Sequence, residues 1–278
     1  MTDSTSLVPR NALQDVAVGI SVSDSADLGR LGLASEHCDL AVAEIARAVL
    51  VAGGSLVYGG RLFPTGFTQI LIDEVSRFAD DRDALTICLP ASEHSSMSVG
   101  ELGRFQDDQH SSISLVCLDQ DGEPIDPNRR DADVIIDIPM ALSGMRRHVT
   151  SVTNARVVVG GQLSGQQGSL PGILEETLFG LEFHRPVYVA GGFGGAAAAI
   201  AQAAGFDDGA WAPANYPAHA DDWAEILKRI RELANQGAVD DGLTDQQRGQ
   251  LAVTHRAADI ASIVVLGLAR SKGNATSF

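Results

Sequence analysis

The stretch ARVVVGGQLSGQQGSLPGILEETLFGLEFHRPVYVAGGFGGAA, Ala155 to Ala197, decides how the rest of the chain is read. An apolar, β-branched run ends in Gly160-Gly161. A polar, glycine-rich loop follows, and Pro171-Gly172 opens a helix-like run with Glu175 and Glu176 in its first turns. A second apolar run, Val187 to Ala190, empties into Gly191-Gly192-Phe193-Gly194-Gly195. Twice, a buried strand stops at a pair of glycines and hands over to a helix. In that geometry a phosphate-bearing ligand can approach backbone N–H groups at a helix N-terminus.

Outward from this stretch the same alternation recurs. Val16 to Ser21 reads as the first strand, closed by the polar loop Ser21 to Arg30. Cys38, Val42, Ile45 and Val49 repeat at helical spacing before Gly53-Gly54. Ser55 to Tyr58 is the second strand and ends at Gly59-Gly60; Arg61 and Gly66 lie in the loop before a helix at Phe67 to Phe78. Leu85 to Leu89 and Ile113 to Leu118 are the third and fourth strands, and Pro139 to Thr153 is a helix carrying Arg146, Arg147 and His148. Strands alternating with helices predict an α/β, Rossmann-like, doubly wound parallel sheet with helices on both faces. Ligands of such sheets bind beyond the carboxyl ends of the strands. The expected organisation is a tail at 1–12, a nucleotide-binding core at 13–208 and a helical extension at 209–278. In the extension Asp221 and Asp222 cap one helix and Thr244 begins a last one, apolar enough to pack on the core or on a partner subunit. A homo-oligomer is the expectation.

Composition narrows the function. The chain has 278 residues and a formal net charge of -16, which disfavours nucleic acid as a partner. No run approaches the roughly 18 apolar residues of a membrane span, so no membrane partner and a cytoplasmic location are expected. Lys228 and Lys272 are the only lysines, which removes a P-loop lysine and a core Schiff-base lysine. Cys38, Cys88 and Cys117 are scattered, two of them inside apolar runs, and read as packed thiols. The histidines lack metal-ligand spacing, so no metal and no required cofactor are expected. His37 is the histidine nearest the presumed cleft, as a cap or as a ligand contact.

The motifs remain open on residues alone. Gly192-Phe-Gly194-Gly-Ala-Ala197 fits G-x-G-x-x-A but follows the last strand rather than the first, which argues against a classical dehydrogenase. Glu175 and Glu176 complement a helix dipole, or one of them faces a ribose. Arg146 or Arg147 suits a phosphate through its two-pronged guanidinium.

Taken together the motifs resemble a known superfamily. Leu56-Val-Tyr-Gly-Gly60 resembles the LVYGG signature of the LOG phosphoribohydrolases, and Gly172-Ile-Leu-Glu175-Glu176 resembles the end of their PGG-x-G-T-x-E-E motif. These enzymes belong to the SLOG superfamily, related also to DprA. The ordered set GIS, LVYGG, MRRH, ARVVVGGQLSG, PGILEE and PVYVAGGFGGAA is most similar to the SLOG branch related to the N-terminal domains of TRPM channels. In contrast to LOG enzymes, GGQLSGQQGSL is inserted after the strand and Ile173 stands at the threonine position. The resemblance implies a small nucleotide ligand, NAD-derived and of the ADP-ribose or cyclic ADP-ribose type. The chain would act as sensor or sink, as in antiphage signalling, with a separate effector protein. The alternative it implies is hydrolysis of a nucleotide N-glycosidic bond, with Glu176 or Glu175 as catalytic group. The implied ligand-binding set is Ser21, Gly59, Gly60, Arg61, Gly66, Arg146, Arg147, Gly160, Gly161, Gly172, Glu176, Gly191, Gly192, Phe193, Gly194 and Gly195.

Overall fold

The computed structural model describes residues 8–62, 65–79, 82–108, 112–129, 135–236 and 239–275. Six strands form one parallel sheet: β1 (Ala17–Ser23), β2 (Ser55–Gly59), β3 (Leu85–Leu89), β4 (Ile113–Cys117), β5 (Ala155–Gly160) and β6 (Val187–Ala190). Their order is β4-β3-β2-β1-β5-β6. The chain steps outward from β1 to β4 and then returns to the other side of β1. The loops leaving β1 and β5 therefore diverge, which opens a crevice at their carboxyl ends.

The period-2 alternation of the strands divides the helices between two faces. Val18, Ile20, Leu56, Ile87, Val157, Val159, Tyr188 and Ala190 pack in one core. Over this core lie α1 (Ser35–Val51), α2 (Phe67–Phe78) and α10 (Ala257–Ala275). On the other face Val57, Cys88 and Val116 meet α5 (Ile138–Ser151) through Met145 and Val149. Val158 and Val189 on that face meet α6 (Gly172–Glu182), α7 (Gly195–Ala203) and α8 (Ala224–Gln236). Between β3 and β4 lie α3 (Ala91–His94) and α4 (Val99–Asp108). The three cysteines are buried and free, and burial pushes the Cys38 and Cys88 thiols up to about 12. No helix among the described residues is long and apolar enough to cross a membrane.

Three local expectations differ from the structure. Residues 1–7 of the expected tail lie outside the described residues. Beyond them, Ala12 N–H donates to Pro9 O at 3.0 Å in a turn that seats the fully buried Leu13. Asp221 and Asp222 belong to a single 3-10 turn, Ala220–Trp223, ahead of α8. The last helix is two: α9 (Asp245–Val253), opened by a Thr244–Gln247 capping box, and α10. Extended Thr254 ends α9, which packs on β6 and the glycine loop after it, whereas α10 packs on α1. One continuous helix could not cover both surfaces.

Backbone approach explains Gly195. Its φ is +57°, and a Cβ there would sit 1.9 Å from the Gly161 carbonyl oxygen. Gly205 has φ +77° with open space around it. Gly205→Ala should therefore cost only the left-handed penalty of about 1–2 kcal/mol, and Gly195→Ala clearly more, in urea unfolding. Equal costs would contradict the packing described.

Candidate functional site

A cleft of about 400 Å³ lies over the carboxyl ends of β1, β2 and β5, at the point where the sheet order reverses. Ser21 and Ser23 come from the end of β1, Tyr58, Gly59, Gly60 and Arg61 from β2 and its loop, and Pro90 and Glu93 from the loop and helix after β3. Met145 and Arg146 enter from α5, and Gly172, Ile173 and Glu176 from the first turns of α6. Gln162, Gln166 and Gln167 come from the loop between β5 and α6.

Two buried arginines organise the cleft. Arg146, on α5, ion-pairs with Glu175, whose other oxygen accepts the Ser143 hydroxyl at 2.7 Å. Cβ atoms added at Gly168 and Gly172 would each lie 2.9 Å from the Arg146 guanidinium, so glycine lets that group rest against the opening turn of α6. Arg156, the second residue of β5, is 1% exposed. It donates to the Ser21 hydroxyl at 2.6 Å and to Thr150 Oγ1 at 2.8 Å. Its Nη1 lies 3.6 Å from Glu176 Oε1, and its Nε has no hydrogen-bond partner among the described residues. Burial lowers the Arg156 pKa; Glu176 opposes that shift and Arg146 adds to it. Burial, and then Glu176, push the Tyr58 phenol up.

The two glutamates thus separate. Glu175 is taken by Arg146 and Ser143, while Glu176 reaches the cleft above Arg156. At the rim, Arg61 pairs with Glu93 at 2.9 Å and donates to Gln167 Oε1 at 2.8 Å. Pro171, the N-cap of α6, offers no capping side chain, and no side-chain bond to the Gly172 or Ile173 N–H is found among the described residues; both residues line the cleft. The first-turn N–H groups and the positive end of the helix dipole therefore face the same space as Arg146.

Of the residues expected to bind ligand, the structure brings together Ser21, Gly59, Gly60, Arg61, Arg146, Gly172 and Glu176. It does not bring in the rest. Gly66, the N-cap of α2, is not part of the cleft lining. Arg147 is exposed and lies over the Phe179 ring at 4.6 Å, pointing along the outside of α6. Gly160 and Gly161 are consumed at the β5–β1 seam, where Gly161 N–H donates to Ser23 O at 2.8 Å. His37 stays at the start of α1, with Nδ1 3.1 Å from Ala34 N.

The largest departure is the loop Gly191 to Gly195. A Cβ at Gly191 or Gly192 would strike the carbonyls of Ala252 or Thr254 at 2.4 or 2.2 Å, and Phe193 is fully buried. At the head of α7, the fully buried carboxylate of Asp27 accepts Gly195 N–H at 2.8 Å and Ala218 N–H at 3.2 Å. Arg30 donates to the same carboxylate at 2.8 Å. Tyr216, 2.9 Å from Gly191 O through its hydroxyl, closes the loop from the other side. A carboxylate of the chain itself thus stands where a phosphate would bind.

A family model described as SLOG cluster2 matches residues 12–251, most of the chain and every element that borders the cleft. The chain belongs to this SLOG family. Membership points to a nucleotide-related function in general. No curated protein and no solved structure matches the chain. Among the described residues of this SLOG chain, no group of three or more His, Cys, Asp or Glu could hold a metal ion.

Arg156 is the residue that sequence reasoning missed. Its signal was an arginine inside ARVVVG, a strand buried at all six positions. Arg156→Met should lower stability by about 3 kcal/mol, because Glu176 would lose its buried counter-charge. Adding Glu176→Gln to that variant should then cost less than Glu176→Gln alone. Additive losses in denaturant titrations would mean the two side chains do not act together.

Proposed function

We propose that the cleft binds an NAD-derived nucleotide, of the ADP-ribose or cyclic ADP-ribose type, as a sensor or sink. The observation that carries this reading is the uncapped head of α6 facing the same cleft as the buried Arg146, with Glu176 one helical turn on. Phosphate oxygens would take the N–H groups of Gly172 and Ile173, with Arg146 and the rim residue Arg61 supplying positive charge. Glu176, held by Arg156, would accept from ribose hydroxyls. The volume of about 400 Å³ lies within the range of small-molecule sites, roughly 300–1,000 Å³. The resemblance of the sequence motifs to the TRPM-related SLOG branch supports the choice of ligand, and any downstream effect would be carried by a separate effector protein.

One observation favours a second reading. Glu176 and the Tyr58 phenol lie close enough for Glu176 to raise the phenol pKa, and both line the cleft. A carboxylate so placed could stabilise an oxocarbenium-like centre, the requirement for cleaving a nucleotide N-glycosidic bond.

Calorimetry with ADP-ribose, cyclic ADP-ribose, NAD and AMP tests the first reading. At least one ligand should bind, and Glu176→Gln should weaken it about tenfold or more. Absence of heat from all four at near-millimolar concentration would contradict it. Chromatography of the same mixtures distinguishes the second reading: free base that disappears with Glu176→Gln would mark a hydrolase.

A further inference from the structure

A second cavity, of about 360 Å³, lies between α6, β6, α7 and α8. It shares α6 with the cleft: Glu176 lines the cleft, and the next residue, Thr177, lines this cavity. Its walls are largely apolar, built from Leu181, Val189, Ile200, Phe206, Ile230 and Leu233. Its charges are few. Arg248 is held by Asp241 through two bonds of 2.8 Å and by Asp245 at 2.7 Å, so its charge is offset. Arg185 has no ion-pair partner among the described residues, and its buried Nε has no hydrogen-bond partner. Thr177, 1% exposed, has an equally unpartnered hydroxyl. Buried polar groups are nearly always satisfied, so two orphans beside one cavity mark a place for a polar ligand atom.

We propose that this cavity binds a medium-chain aliphatic carboxylate, its chain against the apolar wall and its carboxylate on Arg185, with Thr177 as the second polar contact. Arg185 is the charged residue of the lining without an ion-pair partner among the described residues, which selects the anion over an amine, and the apolar wall selects an acyl chain over a sugar or phosphate.

Calorimetric titration with octanoate, hexanoate and octylamine tests this. Octanoate should bind at one site, about fifteenfold tighter than hexanoate at roughly fourfold per buried methylene, and octylamine should not bind. Arg185→Gln should weaken octanoate about tenfold or more with an unchanged circular dichroism spectrum. Leu233→Phe, which narrows the cavity without altering charge, should weaken octanoate more than hexanoate. No heat from octanoate at millimolar concentration, equal binding of octylamine, or indifference to both substitutions would overturn the proposal.

Discussion

The carboxylate of Asp27 at the head of α7 is the constraint on which the arrangement depends. It joins three segments distant in sequence: the loop after β1, the glycine loop after β6, and the stretch around Ala218. Gly194 is needed beside it, because a Cβ there would lie 2.5 Å from that of Asp27. A buried carboxylate that accepts two N–H groups and an arginine is held firmly, since hydrogen bonds to a charged group contribute about 1.5–3 kcal/mol each. One of the two strand-to-helix glycine turns thereby becomes a structural joint. The other helix, α6, opens at Pro171, which offers no capping side chain, beside the cleft.

The same division gathers positive charge locally in an acidic chain. The net charge of -16 is spread over the molecule, whereas Arg61 and Arg146 line one cleft and the buried Arg156 holds two of its lining residues, Ser21 and Glu176. Each has its own internal partner: Glu93, Glu175, and Glu176 with Ser21. The cleft is thus neither an exposed basic patch nor a bare cation pocket. It is a cluster of arginines held in place by carboxylates, with one carboxylate, that of Glu176, facing the cleft. Glu175 and Glu176 are adjacent in sequence but project to different neighbours because successive helical residues point about 100° apart.

Much of this was legible in the residues. The glycine-terminated apolar runs announced the strands, their alternation with helical spacing announced the parallel sheet, and LVYGG and PGILEE lie at the cleft. What was not legible depended on contacts distant in sequence. Nothing local in GGFGG says that the carbonyls of Ala252 and Thr254 press against it or that Asp27 arrives from a loop more than 160 residues away. Nothing in MRRH says which arginine turns inward, because that follows from the facing of α5 on α6. The break between α9 and α10 was hidden for the same reason: helical propensity runs on through it, and the two packing surfaces force the turn.

A crystal structure of the protein with ADP-ribose tests the central claim most directly. Phosphate oxygens should lie on the N–H groups of Gly172 and Ile173 beside Arg146, with Asp27 still bonded to Gly195 N–H. Phosphate at Gly191 to Gly195 with Asp27 displaced, or a cleft without nucleotide under saturating ligand, would contradict it.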